Sequence, residues 1–83
     1  MILHKKHKTT PREQARLTLA SEYSRLSERL EQCRASFDMV TEQEVIDALI
    51  FEENAILARM AALTKEAKAA GFSAELHELP PRA

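Results

Sequence analysis

From Phe37 to Gly71 the chain writes one complete helix, with its start, its apolar face and its stop. No other stretch constrains the fold as much. Thr41-Glu42-Gln43-Glu44 reads as a capping box, in which the Thr41 hydroxyl takes a backbone N–H of the first turn and Glu44 reaches back to the cap. Val40 just before it is placed to pack on Val45 as a hydrophobic staple. At the far end Gly71 suits the left-handed position that stops a helix, with Phe72 set to fold back on the last turn. Between these signals Ile46, Leu49, Glu53, Ile56, Met60, Leu63, Ala67 and Ala70 recur at spacings of three and four, a single seam with Glu53 as its only charged member.

A second helix precedes it. Thr10-Pro11-Arg12-Glu13 supplies another capping box, with proline at the first helical position, where its missing N–H costs nothing. Leu19, Tyr23, Leu26, Leu30, Cys33 and Phe37 then follow at spacings of four, three, four, three and four. One Gly and three Pro in 83 residues leave little material for turns. The expected fold is therefore all-α, an antiparallel two-helix hairpin over residues 10–72, with helix one at about 11–38, helix two at about 42–70 and a turn of about three residues. Residues 1–9 are expected to be a flexible basic tail, and 73–83 a second flexible tail.

Pairing the seams outward from the turn sets Phe37 near Ile46, Cys33 near Leu49, Leu26 near Ile56, Tyr23 near Met60 and Leu19 near Leu63. Glu53 then falls opposite Leu30. A buried lone carboxylate is costly, so Glu53 is expected to lean outward to Arg29 or Arg34 or to face a wet groove.

Helix two carries more apolar surface than one partner helix can cover. Beyond the seam, Val45, Ile50 and Leu57 lie on one flank, and Ala48, Phe51, Ala55, Ala58 and Ala62 on the other. A helix that apolar is buried on more than one side. The expectation is a homodimer forming a four-helix bundle, with these eight residues at the interface.

Charge is sorted along the hairpin. Lys5, Lys6, Lys8, Arg12, Arg16, Lys65 and Lys68 gather at the open end, a candidate anion-binding cluster, while Asp38, Glu42, Glu44 and Asp47 gather at the turn. The net charge of -1 argues neither for nor against an anionic partner. No aromatic residues interleave with the lysines, and no nucleic-acid recognition motif is present.

Enzyme readings find no support. His4, His7 and His77 stand in the segments expected to be flexible, so none is held as a general base. Cys33 is single, sits on the seam away from any histidine, and reads as a small core residue in a reducing compartment. Neither a Glu-x-x-His pair nor a Cys-x-x-Cys appears, and Gly71 alone cannot make a phosphate loop, so no catalytic, metal or cofactor residues are assigned. No apolar run approaches the roughly 20 residues of a membrane span, and MILHKKHK lacks the apolar core of a signal peptide. A cytoplasmic protein is expected.

The string VIDALIFEENAILARMAALTKEAKAAG resembles the C-terminal half of the YaaL-like family of short bacterial proteins. The likeness rests on Phe37, Val40, Ile46-Asp47, Ile50, Glu52, Asn54-Ala55, Ala58-Arg59, Leu63, Lys65, Ala67-Lys68 and Gly71, with Glu53 and Thr64 departing from the pattern. The resemblance implies a helical hairpin with no assigned activity, from a family whose genes often neighbour recombination or sporulation genes. It singles out Asp47, read as a partner of the helix dipole in the first turn, and Glu52, Asn54 and Arg59 as polar positions that face a partner or bond within the bundle. The functional expectation is a homodimeric, non-enzymatic protein-protein interaction or adaptor module. The alternative is an accessory nucleic-acid-binding protein using the basic open end.

Overall fold

The computed structural model describes residues 10–72. They form two helices, α1 (Pro11–Phe37) and α2 (Gln43–Ala70), packed against each other as a hairpin, with no strand among the described residues. The tails expected at 1–9 and 73–83 lie outside the described residues.

α1 starts as the sequence predicts. Thr10 is extended (φ -70, ψ 158), the Glu13 backbone N–H donates to its hydroxyl at 3.0 Å, and the Thr10 N–H donates to Glu13 Oε1 at 3.3 Å. Two of the amides a helix leaves without partners at its start are thereby satisfied. At the other end Asp38 and Met39 donate to Ala35 O and Ser36 O at 3.2 and 3.0 Å, tightening the last turn one residue earlier than expected.

α2 starts differently from its prediction. The N-cap residue is Glu42, extended at φ -78 and ψ 131, instead of Thr41, and no side chain caps the helix. Glu42 O accepts from both Val45 N and Ile46 N, at 3.1 and 3.0 Å, so the first turn is wound from a carbonyl one residue further on. The Thr41 hydroxyl therefore makes no capping bond to α2, contrary to the capping box expected there. The connection is longer than a three-residue turn, because residues 38–42 all lie between the helices. Those residues must reverse the chain and still deliver Ile46 and Leu49 to α1.

The stop of α2 is as predicted. Gly71 takes φ 85, its N–H donates to Lys68 O at 3.1 Å, and Phe72 N donates to Ala67 O at 2.7 Å. These two bonds are the Schellman pair, and they bring Phe72 back onto the helix, where only 3 % of it is exposed.

The core consists of Leu19, Ala20, Leu26, Leu30 and Cys33 from α1, with Ile56, Leu63, Ala67 and Phe72 from α2 and its cap. Tyr23, Phe37, Leu49 and Met60 pack on its edges. Polar links between Arg12 and Ala70, Glu22 and Arg59, Arg29 and Glu52, and Cys33 and Leu49 step down the hairpin in one antiparallel register, the register expected from the seams. Burial is deepest at the open end, where Leu63 and the small residues Ala20 and Ala67 are almost wholly enclosed. Toward the turn the seam residues Phe37, Ile46 and Leu49 are only half-buried.

Candidate interaction surface

α2 contributes its inner stripe to α1 and leaves an apolar outer side. Phe51 is 76 % exposed, Ile50 45 % and Leu57 40 %, and the neighbouring Ala48, Ala55, Ala58 and Ala62 are exposed as well. Of the eight residues expected at an interface, only Val45 is half-buried within the hairpin. The outer side of α1 is different in kind, with Gln14, Ser21, Arg25, Glu28 and Gln32 facing water. Most of the exposed apolar side chains thus belong to α2.

Along this outer side Asp47, Phe51, Asn54, Ala58, Ala61 and Lys65 follow at helical spacings of four and three, and all six are exposed. Ala58, Ala61, Ala62, Thr64, Lys65 and Lys68, all on α2, line a shallow, open and mostly apolar groove on the surface of that helix. Phe51 projects from the same helix just before that groove. Leu17 and Met39 are exposed apolar residues that the periodicity did not flag, one on α1 and one in the connection.

The polar positions singled out in the sequence divide. Two N–H groups of Arg59 converge on one carboxylate oxygen of Glu22, at 3.1 and 2.5 Å, and that hydrogen bond raises the guanidinium pKa further above its ordinary value. Glu52 lies 3.5 Å from Arg29. Both residues therefore hold α1 to α2. Asn54 alone stands on the outer side, beside Ala58. Glu53, half-buried opposite Leu30, leans out to accept from Arg34 Nε at 2.9 Å, one of the two partners expected for it.

Four of the seven residues of the candidate anion-binding cluster, Arg12, Arg16, Lys65 and Lys68, are among the described residues. Lys5, Lys6 and Lys8 lie outside the described residues. Arg12 crosses to α2, where it donates to Ala70 O at 3.2 Å and stacks 4.5 Å above the centre of the Phe72 ring. Arg16 is half-buried, and Lys65 and Lys68 are exposed on the outer side of α2. Arg12 thus neutralises the partial negative charge at the end of α2. That part of its fork is occupied within the hairpin.

Cys33 is 3 % exposed, with Sγ 3.4 Å from Leu49 O. Burial pushes its thiol pKa up, Glu52 and Glu53 add to the rise, and Arg34 and Arg29 oppose it. A thiol held protonated is a poor nucleophile. Among the described residues no group of three or more His, Cys, Asp and Glu side chains could hold a metal ion, and no helix is long and apolar enough to cross a membrane. No family model, curated protein or solved structure matches the chain.

Proposed function

We propose that this chain is a non-enzymatic interaction or adaptor module of the cytoplasm that self-associates through α2, two hairpins forming a four-helix bundle. The observation that carries the proposal is the outer side of α2, where Phe51, Ile50 and Leu57 remain exposed among alanines after α1 has taken the inner stripe. A hairpin of this size also buries a modest core, and association is a common route by which such chains gain stability. The order of residues from Phe37 to Gly71 that resembles the YaaL-like family supports a hairpin without assigned activity.

Docking of nucleic acid at the open end draws less support, because Arg12 is engaged with Ala70 and Phe72. Sedimentation of the full chain tests the leading reading. The wild type is expected to run as a dimer, and Ile50→Glu or Leu57→Glu as a helical monomer, because a carboxylate there must be desolvated on association. A monomeric wild type, or variants that sediment like the wild type, would rule it out.

A further inference from the structure

The outer side of α2 carries charges whose placement is symmetric about its middle. Asp47 and Lys65 lie nine residues on either side of Ile56 and, about five full turns apart, share one line along the helix, while Glu44 and Lys68 lie twelve on either side, on the two flanks of that line. At the rise of an α-helix these are offsets of about 14 and about 18 Å in each direction. None of Glu44, Lys65 or Lys68 has a salt-bridge partner among the described residues, and Asp47 accepts only from Gln43 within its own helix, at 2.9 Å. Phe51 and Ala61 are placed in the same way, five residues before and five after Ile56.

We infer that two copies of the chain pack α2 on α2 antiparallel about a two-fold axis at the level of Ile56. This rests on the self-association proposed above and specifies its geometry. Turning a second α2 end for end about that level sets the Phe51 ring of each copy into the groove that Ala58, Ala61, Ala62 and Lys65 form on the other. The same operation sets Asp47 of each copy opposite Lys65 of the other, with Glu44 one turn from Asp47 and Lys68 one turn from Lys65 adding their charge at the same ends. Small side chains along the line let the backbones approach, and each phenyl ring fills the hole opposite it, which is the antiparallel form of knobs-into-holes packing. The helix dipoles also oppose favourably in this arrangement.

Charge selects this arrangement over its rivals. A parallel pair would place Asp47 on Asp47 and Lys65 on Lys65, and like charges in register cost stability. A nucleic acid seated on Lys65 and Lys68 would meet Asp47 further along the same line of the helix. Only a partner with the reversed order of charge meets both ends, and a second copy turned end for end has that order.

Charge reversal on the full chain, read by sedimentation equilibrium at low ionic strength with helicity checked by circular dichroism, tests the geometry. Glu44→Lys with Asp47→Lys places lysines against lysines and is expected to weaken the dimer by about tenfold or more. Lys65→Glu with Lys68→Glu approaches the same contact from the other side and is expected to weaken it as much. Combining all four substitutions restores complementary ends, and affinity should return to within about threefold of the wild type. Phe51→Glu should abolish association. Charge pairs that associate like the wild type, or a fourfold variant no tighter than the double ones, would overturn the antiparallel geometry. If Phe51→Glu still disrupts the dimer in that case, self-association stands and only its geometry fails; a monomeric wild type removes both.

Discussion

Arg12 lies across the ring of Phe72, its guanidinium 4.5 Å from the ring centre, while Nη1 donates to Ala70 O at 3.2 Å. One residue from the first turn of α1 thus closes the last turn of α2. It meets an orphan carbonyl, a helix C-terminal dipole and an aromatic face at once. Arg12→Ala should therefore lower the free energy of unfolding by about 1 kcal/mol, measured by urea titration. Phe72→Ala, which empties a buried site, should cost about 3 kcal/mol. Equal and negligible effects of the two substitutions would mean that the open end is frayed in solution.

Gly71 makes that closure possible. Its φ of 85 lies in the left-handed region, where a side chain is strained. A Cβ there would also stand 3.4 Å from Arg12 Nη2, an ordinary contact that adds little. Gly71→Ala should thus be destabilising by about 1 kcal/mol, from backbone strain alone. Combined with Arg12→Ala it should lose nothing beyond the sum, which the same titration reads.

The two capping boxes separate what a local motif can and cannot fix. Thr10-Pro11-Arg12-Glu13 heads a helix whose first turn has no competing demand, and both of its bonds form. Thr41-Glu42-Gln43-Glu44 follows a chain reversal, and α2 begins from Glu42 instead. Thr10→Ala should cost about 1 kcal/mol. Thr41→Ala should be close to neutral. A comparable loss at both sites in thermal unfolding would show that Thr41 caps α2 in solution after all.

Periodicity made most of the hairpin legible. The seam residues Leu19, Leu26, Leu30, Cys33, Ile56, Leu63 and Ala67 are all in the core, because a three-four spacing leaves a side chain no other side of the helix to occupy. Ala20 was not legible. It lies off the seam and is nevertheless fully enclosed, since how closely two helices approach is a property of the pair and not of either string. The contacts of Arg12 were not legible for a related reason. Its charge and position suggested an anion site, whereas its partners, Ala70 and Phe72, come from the far end of the described chain. Glu53 was legible because a carboxylate on an apolar seam leaves few arrangements open, and Arg34 lay within reach.

Glu53 also offers a test of what that ion pair contributes. Its bond to Arg34 is solvent-exposed on the arginine side, and exposed pairs are worth about 0.2–1 kcal/mol. Glu53→Leu would complete the apolar seam opposite Leu30 and should leave stability equal or higher, because a half-buried carboxylate is replaced by a packed side chain. Glu53→Ala, which removes the pair and fills nothing, should lower it. The order Leu above Ala, read from urea midpoints, is the outcome that burial predicts. The reverse order would mean that the ion pair outweighs packing at this position.

The Cys33 thiol gives the hairpin a pH dependence of definite sign. Burial raises its pKa in the folded state, with Glu52 and Glu53 adding to the rise. Folding therefore favours the protonated thiol, so this contribution is complete below the ordinary thiol range and is lost as pH climbs through the raised folded value. Stability of the wild type should fall between neutral pH and alkaline pH, and Cys33→Ala should remove the part of that slope due to the thiol. Alkylation supplies the kinetic counterpart. At pH 8 iodoacetamide should react with Cys33 far more slowly in the folded chain than in urea, because both exposure and thiolate fraction are reduced. Equal rates in the two states would place the thiol at the surface and contradict its contact with Leu49.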